Sequence, residues 1–240
     1  MCTVKSWQDD HLDSLFLATS EQQLFGALVK LVRLEGFDLC SYGVRPPLPV
    51  SKPRILVYDN FPASWHQQYR SQGYVEIDPT VRHGLRSLLP LVWTDEVFAE
   101  TRDFWEDARG HGLRYGWAQP CRDPSGVAGM VTVARSSDPL TDSELKLKAP
   151  RLLWMTQVAH VAMTKLVIRR VLPEADIHFS PREIAVMRWT AEGKTSGEIG
   201  DILRIAERTV NFHIQNVIAK LGAANKTAAA IRLCTLGLLS

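Results

Sequence analysis

No apolar run in these 240 residues reaches the ~18 that a membrane-spanning helix needs. The N-terminus also lacks the basic-then-apolar build of a secretory leader, so a cytoplasmic location and no membrane partner are expected. Cysteine is scarce. Cys2, Cys40, Cys121 and Cys234 stand far apart and form no CxxC pair, which predicts reduced, mostly packed thiols rather than a disulfide framework or a zinc site. The histidines, His11, His66, His83, His111, His160, His178 and His213, show no metal-ligand spacing. GxSxG, HExxH and phosphate-binding Walker loops are missing. No enzyme, metal or cofactor is therefore expected. Asp103, Glu106 and Asp107 do cluster, but on a predicted helix that describes a solvated face. Internal repeats and low-complexity tracts are also missing.

What is present is globular: 45% hydrophobic and 22% charged residues, in a length that fits one large domain or two ordinary ones. Net charge is +2 but unevenly spread. Residues 179–240 hold 8 Lys and Arg against 5 Asp and Glu, a net +3, and the remainder is at −1. A long helical pattern covers 142–171, with Leu145, Leu152, Leu153, Val158, Val161 and Leu166 at helical spacing and Pro150 marking an expected break or kink. Pro173 is expected to end it, and a linker falls at 170–178. Next, "SPRE" places Ser180 as N-cap, Pro181 at the first helical position and Glu183 three residues on, a capping box.

The part before residue 170 mixes α and β. Residues 7–18 and 20–35 read as helices, with Leu24, Leu28, Leu31 and Val32 on one face. "FDLCSYGV" and "RILVYDN" read as strands, "PASWHQQYRSQG" as a short helix, and "RYGWAQPCRDPSGVAGMVTVAR" as a hairpin turning at 123–126. Helices flanking a small antiparallel sheet make an α+β sandwich.

The stretch "GKTSGEIGDILRIAERTVNFHIQNVIAKLG" reads as two short helices joined through 204–207, a helix-turn-helix. At about 100° per residue, Ile214, Val217 and Leu221 fall within about 40° of Val210, an apolar stripe. Arg208, Phe212, Gln215 and Ala219 lie opposite, flanked by Asn211 and Asn216. An ordinary amphipathic surface helix explains the stripe. It does not explain a far face poor in Lys and Glu, whose Asn, Gln, Phe and Ala suit base edges in a major groove.

The run from "FSPREIAVMRWT" to "LCTLGLL" resembles the DNA-binding module of the LuxR family through about 60 residues, on Arg182-Glu183, Trp189 to Lys194, Glu198-Ile199, Thr209, Val210, His213 and Asn225-Lys226. Met187 stands where leucine is usual. The resemblance implies phosphate contacts from Lys194, Thr195, Thr209 and Lys226, and base contacts from Asn211, Phe212 and Gln215 beside Arg208. Thr195 is also a good N-cap, and His213 reads as structural. A phosphorylated receiver is rejected for the rest of the chain, because no alternating βα pattern sets out its acidic cluster.

"FPASWHQQYRSQGYVEIDPTVRHGL", "LVWTD", "FWEDARGHGLRYGW" and "GMVTVARS" resemble the acyl-homoserine-lactone receptors, most closely the orphan, long-chain-responsive type. The fold implied is α+β: an N-terminal α-β-α sandwich over residues 1–169 with an antiparallel sheet, a linker at 170–178, and a four-helix helix-turn-helix domain at 179–240. The function implied is a homodimeric quorum-sensing transcription factor that binds a lactone effector and an inverted repeat of double-stranded DNA, with RNA polymerase as a further partner.

The ligand set implied is Ser41, Phe61, Trp65, Tyr69, Asp78, Trp93, Gly116 and Thr132. A lactone amide buried in an apolar pocket needs a partner for each polar atom, since an unpaired one costs about 1–3 kcal/mol. Asp78 can accept the amide N–H and the Trp65 indole can donate to the lactone carbonyl. Tyr69, Ser41 or Thr132 hydroxyls can serve the amide carbonyl, and Trp93 gives a flat wall. Phe61 stands where many members have Tyr, so a 3-oxo group loses one donor. Singly, each of these residues has a plainer role: tryptophans in a core, Asp78 before Pro79 in a turn. His66 either flanks the lactone or faces solvent. Two rival functions stay open, a constitutive DNA-binding regulator with an N-terminal dimerisation scaffold and a sensor of a non-lactone signal. The apolar last helix, through Ala229, Leu233 and Leu236, serves either a dimer contact or its own domain.

Overall fold

The computed structural model describes residues 13–49, 52–171 and 176–239, with the side chains of 168–171 left aside. Cys2, Pro173, the first half of the helix expected at 7–18 and part of the expected linker fall outside the described residues. Packing divides the chain into two compact units, the first made of Met1–Arg45, Ile55–Asp123 and Val127–Val167, the second of Ile168–Ser240 with the short segments Pro46–Arg54 and Pro124–Gly126.

The first unit is an α-β-α sandwich. A helical turn at 13–16 precedes α1 (Glu21–Leu34), β1 (Leu39–Arg45) and β2 (Leu56–Asp59). Then come α2 (Ala63–Ser71), α3 (Pro79–Arg86), β3 (Leu91–Val92) and α4 (Arg102–Gly110). The hairpin strands β4 (Tyr115–Arg122) and β5 (Ala128–Arg135) lead into the long α5 (Asp142–Val171). The five strands lie in the order β2-β1-β5-β4-β3, every neighbour antiparallel.

Strand periodicity gives this sheet two different faces. Cys40, Tyr42 and Val44 sit opposite Val133, Val131 and Gly129, and all are buried. α1 and α5 cover this side: Tyr58 donates to Glu21 and the Tyr42 hydroxyl lies 2.8 Å from His160 Nδ1. Burial holds the His160 imidazole below its ordinary pKa and pushes the Cys121 thiol up to about 12, so both stay neutral. Among the described residues Cys40, Cys121 and Cys234 are free thiols, and Cys234 is exposed.

On the other face Leu39, Ser41 and Gly43 alternate as half-buried positions although β1 is an interior strand. That face is only partly covered, by α2, α3, α4 and the segment holding Trp93. Of the break or kink expected at Pro150, a break is not there. α5 runs through it as one helix, because a proline removes a single N–H to C=O bond and neighbouring packing can hold the remaining turns. The helix also reaches into the expected linker, to Val171.

The second unit carries α6 (Pro181–Ala191), α7 (Ser196–Leu203), α8 (Glu207–Leu221) and α9 (Lys226–Thr235). Its core joins Val186, Met187, Ile199, Val210, Ile214, Val217, Leu221, Ala229 and Leu233. The Ser180–Glu183 capping box forms as the sequence suggests. Glu183 is also ion-paired to Lys220 at 2.7 Å, which ties the start of α6 to the end of α8. Ala229, Leu233 and Leu236 are buried within this unit. Ala229 and Leu233 belong to its core, so for these two residues the structure favours packing on their own domain over a dimer contact.

Candidate functional site

Two sites emerge, one on the partly covered sheet face and one on the outer surface of α8. On the sheet, register places Ser41 opposite Thr132, and Thr132 opposite Ala118. One step along, Gly116 pairs with Ala134. A Cβ built on Gly116 would stand 2.3 Å from the Trp93 ring, so glycine is what lets that indole lie flat against the strand. The Trp93 backbone N–H donates to the Gly116 carbonyl at 2.9 Å. Its indole N–H is buried without a hydrogen-bond partner among the described residues.

Above this face sits an aromatic cluster of Trp65, Tyr74, Phe98, Phe104 and Trp105, with Phe61, Tyr69 and Trp93 packed against it. Trp65 is 4% exposed and touches Tyr69, Tyr74, Phe104 and His111 at ring separations of 5.6–6.0 Å. His111 is held in turn, by Gln68 Oε1 at 2.9 Å and Ser64 Oγ at 3.1 Å. The Tyr-x-x-x-Asp-Pro spacing of the sequence carries Tyr74, whereas sequence reasoning gave no role to Phe104, Trp105 or His111; the adjacent "FW" on the buried side of α4 was a signal for the first two.

Asp78 is buried and does local work. Its Oδ1 accepts from the Thr80 N–H at 2.8 Å and the Thr80 hydroxyl at 2.7 Å, capping α3. Its Oδ2 accepts from the Tyr69 hydroxyl at 2.9 Å. Tyr69 therefore gives its proton to Asp78, which differs from the expectation that it serves a ligand carbonyl. Burial raises the Asp78 carboxyl pKa, and the Thr80 and Tyr69 bonds oppose that. The "DPT" sequence, a carboxylate two residues before a threonine at a helix start, carries the cap. His66 pairs with Asp59 at 2.8 Å.

In the second unit the Thr195 hydroxyl caps α7 and donates to Glu198. Arg204 takes the left-handed conformation, φ 54°, in the turn. A Cβ on Gly200 would stand 2.7 Å from the Ile205 carbonyl, so the turn packs tightly on the first helix of the motif. Glu207, expected in the turn, opens α8. Val210, Ile214, Val217 and Leu221 are buried. Arg208, Thr209, Asn211, Phe212 and Gln215 are exposed. Asn211 Oδ1 accepts from Ser196 Oγ at 2.7 Å. α8 begins without a side-chain cap, so its first N–H groups can meet an anion such as a phosphate. Lys194 and Lys226 line one cleft of about 360 Å³.

Comparison with known proteins matches both units. Residues 20–163 match the autoinducer binding domain and residues 178–233 the luxR family of bacterial regulatory proteins. The transcriptional activator protein AnoR of Acinetobacter nosocomialis is 42% identical, covering 98% of this chain and 100% of its own. The quorum-sensing regulator RhlR of Pseudomonas aeruginosa is 36% identical over 97% and 96%. A crystal structure of Escherichia coli SdiA superposes with TM-score 0.84 at 32% identity, over 99% and 100% of the two chains. SdiA in complex with octanoyl-rac-glycerol gives 0.83 at 33%, over 98% and 96%. With both of its units matched in order, the chain belongs to the luxR family of bacterial regulatory proteins, as a transcriptional regulator that carries an autoinducer-binding domain ahead of its DNA-binding helix-turn-helix.

Proposed function

We propose that the autoinducer is an N-acyl-homoserine lactone and that the protein binds an inverted-repeat promoter site as a homodimer in the cytoplasm, where it contacts RNA polymerase. Residues 1–169 form the receptor, 170–178 the linker and 179–240 the DNA-binding part. The observation that carries the ligand is Asp78. Three of the roughly four acceptor positions of a carboxylate are filled by Thr80 and Tyr69. The Val81 backbone N–H also approaches this carboxylate, so a lactone amide N–H would share an Asp78 oxygen with these donors, beside an aromatic cluster on a partly covered sheet face. Trp65 then donates to the ring carbonyl, and Ser41 or Thr132 to the amide carbonyl. Trp93, seated on Gly116, walls the site, and Tyr69 holds Asp78 in place. Phe61 cannot donate, so a 3-oxo group gains nothing there. The acyl tail follows the half-open strip of Gly43 and Met130 toward exposed Val57.

A neutral acyl ester is the second reading, favoured by the SdiA complex with octanoyl-rac-glycerol. An ester has no amide N–H to offer Asp78. Titrating octanoyl-homoserine lactone and octanoyl glycerol against wild type and Asp78→Asn separates the two. A constitutive regulator would respond to neither.

DNA recognition rests on the exposed side of α8. Asn211, Phe212 and Gln215 face the bases beside Arg208, while Lys194, Thr195, Thr209 and Lys226 hold phosphates. Gln215→Ala is expected to relax base discrimination, a loss of about 1–3 kcal/mol at one position. Lys226→Ala should weaken all sequences about equally and reduce the salt slope by about one. Competition binding against a library of half-site variants at two salt concentrations reads both. An unchanged base preference in Gln215→Ala would remove α8 from the major groove.

The homodimer has a surface to use. Leu147, Trp154 and Val161 are 62%, 50% and 44% exposed, and at seven-residue intervals they form one stripe on α5, the seam spacing of paired helices. A second copy of α5 is the complement in both spacing and chemistry. Trp154→Glu is expected to shift sedimentation from dimer to monomer. A variant that stays dimeric would move the interface elsewhere.

A further inference from the structure

A cleft of about 310 Å³ lies on the first unit, lined by Trp93, Asp95, Trp105, Arg109, Arg114 and Leu140 among others. Its walls are fixed. The Trp105 indole donates to Asp95 Oδ1 at 2.7 Å, and Trp105 stacks on Phe98 with ring centroids 4.2 Å apart. Trp93 stands perpendicular to Trp105 at 6.0 Å. Arg135 clamps the carbonyls of Asp138 and Pro139 at 2.7 and 3.1 Å, which holds the Pro139–Leu140 side.

The charges in this cleft are unbalanced. Arg109 lies over the Trp105 ring at 5.7 Å and only 3.7 Å from an Asp95 side chain that is 82% exposed. Arg114 spends its Nε on the Arg109 carbonyl at 3.3 Å, and its terminal nitrogens have no ion-pair partner among the described residues. Two guanidinium groups thus face one carboxylate.

We propose that this cleft is a second small-molecule site and that it takes a small aromatic carboxylate. Its volume is at the lower end of small-molecule sites, roughly 300–1,000 Å³. The two indoles offer a ring edge-to-face or offset contact. Arg114 offers a carboxylate the forked, two-bond geometry that a lysine lacks. Arg109, already over an indole, adds cation–π attraction to a bound ring. A neutral ring leaves the guanidinium charge unanswered, and an aliphatic acid leaves the indoles unused. The site is distinct from the sheet face proposed for the lactone, although Trp93 borders both.

The test is calorimetric titration of the full chain with 2-naphthoate and its neutral isostere 2-naphthamide. Naphthoate is expected to bind saturably at one site. Naphthamide should bind about tenfold more weakly or worse, the loss of one charge-assisted contact. Arg114→Gln should weaken naphthoate about tenfold at an unchanged melting temperature, since Arg114 is exposed, and Arg114→Lys should fall between. Asp95→Asn keeps an acceptor for Trp105 and removes the only acid lining the cleft, so it should bind naphthoate more tightly. Equal binding of naphthamide, an unaffected Arg114→Gln, or the lack of a saturable heat overturns the proposal. So does a loss of naphthoate binding in Asp78→Asn, because that would place the ring on the sheet face instead.

Discussion

Asp78→Ala is expected to lose autoinducer affinity and stability together, whereas Asp78→Asn loses mainly affinity. The alanine removes the cap of α3, worth about 1 kcal/mol. It also strands the Tyr69 hydroxyl, whose bond to Asp78 is 2.9 Å, at a cost of about 1–3 kcal/mol. Asparagine keeps an oxygen for Thr80 and so keeps the cap, but it lacks the charge. A hydrogen bond to a charged acceptor contributes about 1.5–3 kcal/mol, so lactone affinity should fall roughly 10- to 100-fold in either variant. Trp65→Phe should cost less, since it removes one neutral donor and keeps most of the ring. Acid acts in the same direction. Burial raises the Asp78 pKa, opposed by the Thr80 and Tyr69 bonds, so protonation as pH falls removes the anion, and lactone affinity should decline at low pH. Lactone titrations of the three variants across pH measure this. Wild-type lactone binding by Asp78→Asn would leave the lactone reading without its main contact and favour an acyl ester. Linkage adds a check: if lactone favours the DNA-competent form, operator DNA must tighten lactone binding by the same factor.

Arg135→Ala should produce the largest loss of stability in the receptor unit. Arg135 is 8% exposed and holds Glu144 through two bonds, at 2.7 and 2.8 Å. Lys148 reaches the same carboxylate at 2.6 Å, and both cations lie over Phe37. The group joins the end of β5 to the start of α5. Arg135 is buried but Glu144 only half-buried, so removing one partner costs less than the roughly 3–5 kcal/mol of a fully buried pair, about 2 kcal/mol, which for a domain of this size lowers the melting temperature by roughly 5 °C. The loss has a pH signature. The hydrogen bonds from Arg135, assisted by Lys148 and opposed by burial, hold the Glu144 pKa down to about 2. A depressed carboxylate stabilises the fold above its unfolded pKa and loses that contribution as pH falls toward the folded value. The melting-temperature gap between wild type and Arg135→Ala should therefore be widest at pH 7 and shrink between about pH 5 and pH 2. A gap that did not change with pH would place the stabilisation in packing rather than in the ion pair.

The DNA-binding half was largely legible in the sequence because its information is local. The Ser180–Glu183 box, the Thr195 cap and the Val210, Ile214, Val217, Leu221 stripe each lie within a few turns of one helix, and the structure forms each as expected. The strands β1, β4 and β5 were legible for the same reason, through alternation and the turn between the last two. What only the tertiary structure decided depends on residues far apart in the chain. Sequence spacing places Tyr69 nine residues before Asp78, but not the hydroxyl proton on the carboxylate. Nothing near Gly116 says that its missing Cβ is the seat of Trp93. Pro150 reads locally as a break, yet long-range packing on both sides carries the helix through. Ala229, Leu233 and Leu236 gave an apolar stripe with no statement of what it meets, and the fold turned it inward. Periodicity within one element is written in the order of residues. The partner of a buried polar group, or of an apolar face, is set by where the whole chain brings another element, and sequence order alone does not fix that.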